Sequence, residues 1–312
     1  MKTQLLILIF LMSVFSYSQE FKKTATAGFV FLELPVNART AALGESSTPL
    51  SDVNASGLFI NPASIGFTNL THSFSASYSP WIAEIKHYAS SYTFKTDFGV
   101  FGIGLVAVDF GSMPKVKRTL GQRVYNIEGT FSSNAIAMQL GYSRMLTDNF
   151  SYGVSIKYVQ ETIDIYSASN ILFDGGILYY TGLGSVRLAA VFQNFGVESK
   201  FSNEPFKMPA VIKLGVAAEI IGDKNSEYRV TSIAEALHPN DGDEKLNIGL
   251  EVGWRNMLML RGGYKFFYDE ESYSLGVGFN PNLEIPAEID FAFSDYGRLG
   301  KILRFTLHLG LL

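Results

Sequence analysis

From His72 onward, hydrophobic and polar positions alternate with a period of two. Leu246, Ile248, Leu250, Val252 and Trp254 take turns with Asn247, Gly249, Glu251, Gly253 and Arg255. Tyr273, Leu275, Val277 and Phe279 alternate with small or polar residues, and so do Phe150, Tyr152, Val154, Ile156 and Tyr158. This is the period of strands with one apolar face. Fourteen such runs follow one another, at 71–79, 86–95, 98–109, 132–147, 149–164, 169–180, 185–196, 209–221, 226–237, 244–255, 257–267, 271–280, 285–294 and 302–312.

A large soluble sandwich and a membrane barrel both bury one face of each strand. Many of these runs reach ten residues, the length of a tilted bilayer crossing. Aromatic residues near the run ends (Trp81, Phe98, Tyr142, Tyr179, Trp254, Phe267, Tyr268) fit interfacial girdles. Connection lengths point the same way. The even-numbered connections are short, while the two longest, Gly111 to Phe131 and Gly196 to Met208, are odd-numbered. Short periplasmic turns with longer outer loops are the outer-membrane pattern. The expected fold is therefore an all-β membrane protein, a ~14-stranded antiparallel outer-membrane barrel over 71–312.

Two segments precede it. Residues 1–18 read as a secretory signal peptide for export through the Sec pathway, with Lys2 ahead of the apolar run Leu5 to Phe15 and small residues at Ser16 and Ser18. Residues 19–70 form an N-terminal, plug-like segment. Its stretch Phe31 to Phe67 lacks the strand period, is crowded with small residues and closes on Asn61-Pro62-Ala63, where Asn caps a helical turn and Pro takes its first position. A segment of this size cannot bury a core of its own, so it must pack into something larger.

Composition narrows the functions. The 312-residue chain has no cysteine and a formal charge of −4, one unit more negative without Lys2. Thiolate chemistry and disulfides are excluded, and no basic face favours nucleic acid. The four histidines (His72, His87, His238, His308) lack ligand spacing, and no catalytic or cofactor motif is present, so the expectation is a non-enzymatic protein without metal or cofactor. Gly102-Ile-Gly104-Leu-Val-Ala107 imitates a dinucleotide fingerprint, but the strand simply continues where a helix would be needed. Asn240 to Glu244 has oxygen-rich calcium-like chemistry, yet it also has the composition of a hairpin tip.

The face turned inward carries the more specific signals. Glycines recur there (Gly102, Gly104, Gly153, Gly249, Gly253, Gly276, Gly278), fitting either barrel curvature or room for the 31–67 segment in the lumen. Lys157, Arg187, Glu251, Arg255, Arg261, Lys265, Glu288 and Asp290 are expected to point inward with mixed signs. Arg39 is then expected to pair with an inward carboxylate such as Glu251 or Asp290. The loop Gly111 to Phe131 carries Lys115, Lys117, Arg118, Arg123 and Tyr125, a basic and apolar set suited to lipopolysaccharide phosphates or to a partner strand added along an edge.

The stretch Phe31-Leu32-Glu33-Leu34-Pro35-Val36-Asn37-Ala38-Arg39-Thr40-Ala41-Ala42-Leu43-Gly44, followed by Asn61-Pro62-Ala63, resembles the N-terminal signature of the PorV/PorQ family. That family looks like a branch of the FadL-type fourteen-stranded barrels. The chain departs from the family pattern at Ala42, Ile60 and Ser64. The resemblance marks Pro35, Ala38, Arg39, Leu43, Gly44, Asn61, Pro62 and Ala63 as the motif of the plug. It implies an outer-membrane protein that binds partners in the membrane or secreted cargo, as type IX secretion shuttles and attachment complexes do. The alternative it leaves open is a FadL-like channel for hydrophobic small molecules.

Overall fold

A computed structural model of the chain describes residues 26–118, 125–202, 204–223, 226–281 and 283–311. The expected leader at 1–18 lies outside them. Fourteen antiparallel strands close into a barrel: His72–Pro80, Lys86–Thr96, Gly99–Arg118, Tyr125–Thr147, Phe150–Ile163, Tyr166–Tyr180, Arg187–Phe195, Val211–Ile221, Tyr228–Pro239, Lys245–Trp254, Leu258–Phe266, Tyr273–Phe279, Ala287–Asp295 and Lys301–Leu311. Each pairs with its sequence neighbours. The first meets the last, His72 opposite Leu311 and Tyr78 opposite Phe305, so the barrel has no unpaired edge along its wall.

The period-two pattern becomes the two faces of this wall. Leu246, Ile248 and Leu250 lie on the outside, while Asn247 and Glu251 are buried within. No described helix is long and apolar enough to cross a membrane; a closed barrel pairs its backbone groups strand to strand, as a bilayer crossing by strands requires. Outer rings pack side by side at one rim, with Phe94, Phe101 and Tyr142 at centroid distances of 5.4 and 5.1 Å. Two residues assigned to the girdles turn elsewhere. Trp81 packs against Tyr296 at 5.1 Å, and Tyr268 faces the interior.

The longest expected loop proved to be a ribbon. The strands ending at 109 and starting at 132 in the sequence reading run on to Arg118 and back from Tyr125, pairing Met113 with Phe131, Val116 with Ile127 and Arg118 with Tyr125. Gly and Pro suggested a loop, but register shifts between Asp109 and Ser112 and between Pro114 and Val116 absorb them. The β-formers Val116, Tyr125, Ile127 and Thr130 then keep the ladder going. The neighbouring strands stop pairing at Lys86–Asp109 and Ser133–Ile163, so both edges of this extension lie beyond the rim without a described strand partner. The rim bearing this ribbon is termed external, and the rim of short turns periplasmic, as in other barrels of this kind.

The other long connection, between Phe195 and Val211, holds a two-stranded hairpin of Ser199–Lys200 and Pro205–Phe206. Phe201 and Phe206 stack at 5.2 Å and pack onto Phe29 of the N-terminal segment. That contact fixes the described start of the chain near the external end of the lumen.

Candidate functional site

The N-terminal segment fills the lumen, and each of its turns has a local cause. Asn37 caps the Ala38–Ala42 helix by accepting from Thr40 N–H at 2.7 Å. Asn61 caps the 3-10 turn Pro62–Phe67 by accepting from Ala63 N–H at 3.0 Å, with Pro62 in the first position. Its amide also donates to Thr48 O on the plug and to Ile177 O on the wall, at 3.0 and 3.3 Å. Ala63 O accepts from Ser143 and Ser151 on two wall strands. The plug is thus bonded to the barrel through its own backbone.

Inward glycines mark where that backbone comes closest. A Cβ on Gly153 would lie 2.3 Å from the Pro62 carbonyl carbon, and one on Gly263 would lie 2.0 Å from Gly44 N. On Gly276 it would meet Ala42 Cβ at 2.4 Å, and on Gly102 and Gly104 the Leu58 and Phe59 side chains. Gly249 meets Ser46 and Leu43 of the plug, whereas Gly253 and Gly278 face wall residues. Of the other motif residues, Pro35 lines a chamber, Ala38 N–H donates to Thr306 at 2.8 Å, and Leu43 packs with Leu50, Ala217 and Ile233. Gly44, at a φ of 62°, donates to Ser274.

Arg39 sits in a buried ion network. Its Nε and one terminal nitrogen donate to the two Glu251 oxygens, each at 2.9 Å. Its remaining contacts are to the Asp52 carbonyl at 2.7 Å and carboxylate at 3.1 Å. Asp290, the other expected partner, is instead bound by Arg261, which also reaches Glu251 and Glu288. Lys157, Arg187 and Lys265 face inward as expected, paired with Asp174, Glu219 and the two carboxylates Glu45 and Glu271. Arg255 does not. It falls in the turn after Trp254, at a φ of 52°, and pairs with exposed Glu227. The alternation failed there because the strand ends one residue earlier.

Between the plug and the external mouth lies a chamber of about 230 Å³. Leu32, Leu34, Pro35, Val36 and Phe59 from the plug form one side, and Val211, Leu237 and Pro239 from the wall another. Glu33, Lys213, Lys245, Glu271 and Tyr268 supply polar groups. Glu33 meets water, yet surrounding protein raises its carboxyl to about 7, burial being the main cause and the charge of Asp241 the next. Lys245 lies 4.5 Å from the Tyr268 ring centroid.

Beside this chamber the wall is irregular. Phe173 faces Phe195 but Gly175 faces Phe192, so the strand Arg187–Phe195 carries one extra residue. Within the bulge, Asn194 takes a φ of 61°; its N–H donates to Asp174 at 2.8 Å and its amide oxygen accepts from Lys157 at 2.6 Å. Gln193 next to it donates to the plug carbonyls of Phe59 and Ile60 at 2.7 and 3.0 Å. A depression of about 290 Å³ indents the outer surface here, lined by Phe195, Gly196, Met208 and Ile212. Val211 borders both spaces.

The candidate partner loop lies apart, on the ribbon. Lys115 pairs with Asp164 at 2.5 Å and Lys117 with Glu128 at 3.6 Å, while Arg118 and Tyr125 are exposed opposite each other. Arg123 is outside the described residues. The oxygen-rich tip is tied to the connection before Val211 by Asn240 donating to Met208 O, and closed across its own base by His238 meeting Glu244. Sequence reasoning missed Asp52, Asn194 and Gln193. Asp52 lies in an irregular stretch without period, and the bulge breaks the alternation that would have turned the other two inward.

No family model matches the chain and no curated protein matches it. Among solved structures it is similar to the toluene transporter TbuX of Ralstonia pickettii, with 12% identity and a TM-score of 0.60 over 88% of this chain and 96% of that one. The toluene transporter TodX of Pseudomonas putida gives 14% and 0.59 over 88% and 97%, and a FadL homologue of Pseudomonas aeruginosa gives 11% and 0.55 over 88% and 98%. The fold is that of the FadL-like outer-membrane barrels. The chain is a protein of the bacterial outer membrane, in contact with its lipid bilayer. These neighbours offer no counterpart to the PorV/PorQ or type IX secretion reading of the signature.

Proposed function

We propose that this barrel is a passage for small hydrophobic molecules across the outer membrane. The observation that carries the reading is the chamber between an apolar plug face and a bulged wall. A 150 Å³ apolar cavity is enough to hold benzene, so about 230 Å³ accommodates a molecule of the monoaromatic class. The plug blocks the axis below it. The bulge at Asn194 offers the shorter way out, because Val211 lines both the chamber and the outer depression, and Gln193 links that wall to the plug. Neighbours described as toluene transporters support the same class of cargo.

Uptake tests the reading. Cells producing the wild-type barrel should take up labelled toluene faster than cells without it, and Leu34→Trp, which fills the chamber, should remove most of the gain. Equal uptake in all three would overturn it.

A second reading is favoured by the ribbon. Its unpaired edges and exposed Val116, Tyr125 and Ile127 offer an extended partner chain both backbone donors and an apolar face. On this reading the barrel docks a protein, such as a type IX secretion component or its cargo, at the external surface. Affinity capture from native outer membrane, with and without residues 113–131, decides it. Partners lost with the ribbon support docking, and unchanged recovery refutes it.

A further inference from the structure

Five arginines are buried in the described lumen: Arg39, Arg187, Arg229, Arg261 and Arg304. Four meet carboxylates. Arg39 and Arg229 share Asp52 and Glu251, Arg187 holds Glu219, and Arg261 binds Glu251, Glu288 and Asp290. Arg304, 3% exposed, forms no ion pair among the described residues. Two of its guanidinium nitrogens are buried without a hydrogen-bond partner, and its described contact is the Trp81 ring at 5.5 Å.

A second orphan stands beside it. His87 is fully buried, and neither ring nitrogen has a partner. Register sets the two on the strands either side of Ser79, at one height of the wall, and the Arg304 charge reaches the His87 ring. His87 lies opposite Ser79, and Ser79 Oγ donates to the carbonyl of Leu303, the residue before Arg304. The surrounding wall is apolar or small, with Val108 opposite His87 and Ala292 opposite Arg304. Glu45 is the carboxylate whose charge reaches Arg304, and it is already held by Lys265, while the Tyr296 phenol nearby is neutral. A buried charge needs a counter-charge, and an unsatisfied buried donor needs an acceptor.

We propose that Arg304 and His87 form a binding site for a small inorganic anion of the halide class. The guanidinium supplies the charge and two N–H donors, and the imidazole supplies a third through one tautomer. Phosphate and sulfate fit poorly, since they are strongly hydrated and the site has too few donors to replace their water. The buried position makes the ion a structural counter-charge for Arg304 in the barrel wall, and neither residue lines the chamber.

Thermal melting of the full chain in zwitterionic detergent tests this, titrating sodium chloride against sodium gluconate at fixed ionic strength. Chloride or bromide should raise Tm saturably by roughly 3 °C or more, as specific binding to the folded state does. Arg304→Met should melt independently of halide, and His87→Phe should bind with weaker affinity. The same Tm in both salts, or a halide shift that survives Arg304→Met, overturns the proposal. Should the variants not fold, bromide-soaked wild-type crystals decide: anomalous density within hydrogen-bond reach of the guanidinium supports the site, and none there refutes it.

Discussion

Arg39 and Glu251 meet through two parallel N–H···O contacts of 2.9 Å, joining the plug to the barrel wall across 212 residues of sequence. Such forked pairing is geometrically selective. Because Arg261 also binds Glu251, the carboxylate has a second cation when Arg39 is removed. Arg39→Met should therefore cost about 2–3 kcal/mol, at or below the lower end for breaking an isolated buried pair. Arg39→Met with Glu251→Gln should cost less than the sum of the two changes. Melting of the four proteins of this cycle measures the coupling, and planar-bilayer recordings should show rare openings turning frequent in Arg39→Met. Additive losses would remove the latch from this account.

Gly153 presses on the Pro62 backbone, where a side chain has nowhere to go. Gly153→Val should expel or tilt the Asn61-Pro62-Ala63 turn and destabilise the barrel by about 1–3 kcal/mol. Limited proteolysis in detergent reads this directly, through cleavage within 37–67 that the wild type resists. Gly253→Ala, facing only the Arg229 side chain and backbone near 3.9 Å, is the matched control and should leave the plug protected.

Asn61 combines a cap with two carbonyl contacts. Asn61→Ala should lose about 1 kcal/mol from the cap alone, and more from the carbonyls left without a donor. Asn61→Asp retains the cap but cannot donate to Thr48 and Ile177. Placing its Tm between those of the wild type and Asn61→Ala would separate the two contributions.

Glu33 supplies a pH dependence. Its carboxyl is raised to about 7 by burial, so the folded plug favours the protonated form. The stabilisation is complete below the ordinary carboxylate range near 4.5 and is lost as pH rises through about 7. A neutral Glu33 also leaves the chamber more apolar. Retention of a fluorescent monoaromatic probe should therefore be stronger at pH 5.5 than at 8.5, and Glu33→Gln should flatten that profile at the stronger level. A profile that survives the substitution would assign the effect to another group.

The strand count, the face of nearly every strand residue and the inward glycines were legible in the sequence because a period of two is local. A residue's neighbours two positions away report which side of the wall it occupies, whatever the rest of the chain does. The caps at Asn37 and Asn61 were equally local, and so was the absence of a strand pattern over 31–67. The ribbon was misread because a bulge can absorb Gly111 and Pro114 without ending the ladder, and composition does not distinguish that from a loop.

Partner choice across the lumen was not legible. Glu251 and Asp290 are both inward carboxylates, and only the stagger of the closed wall and the seating of the plug give Glu251 to Arg39 and Asp290 to Arg261. The same geometry leaves Arg304 without a carboxylate and sets the bulge of Asn194 against the chamber. Alternation along the chain determined what faces inward. Closure of the barrel around its plug decided which inward groups meet, because those distances run through space between residues far apart in sequence.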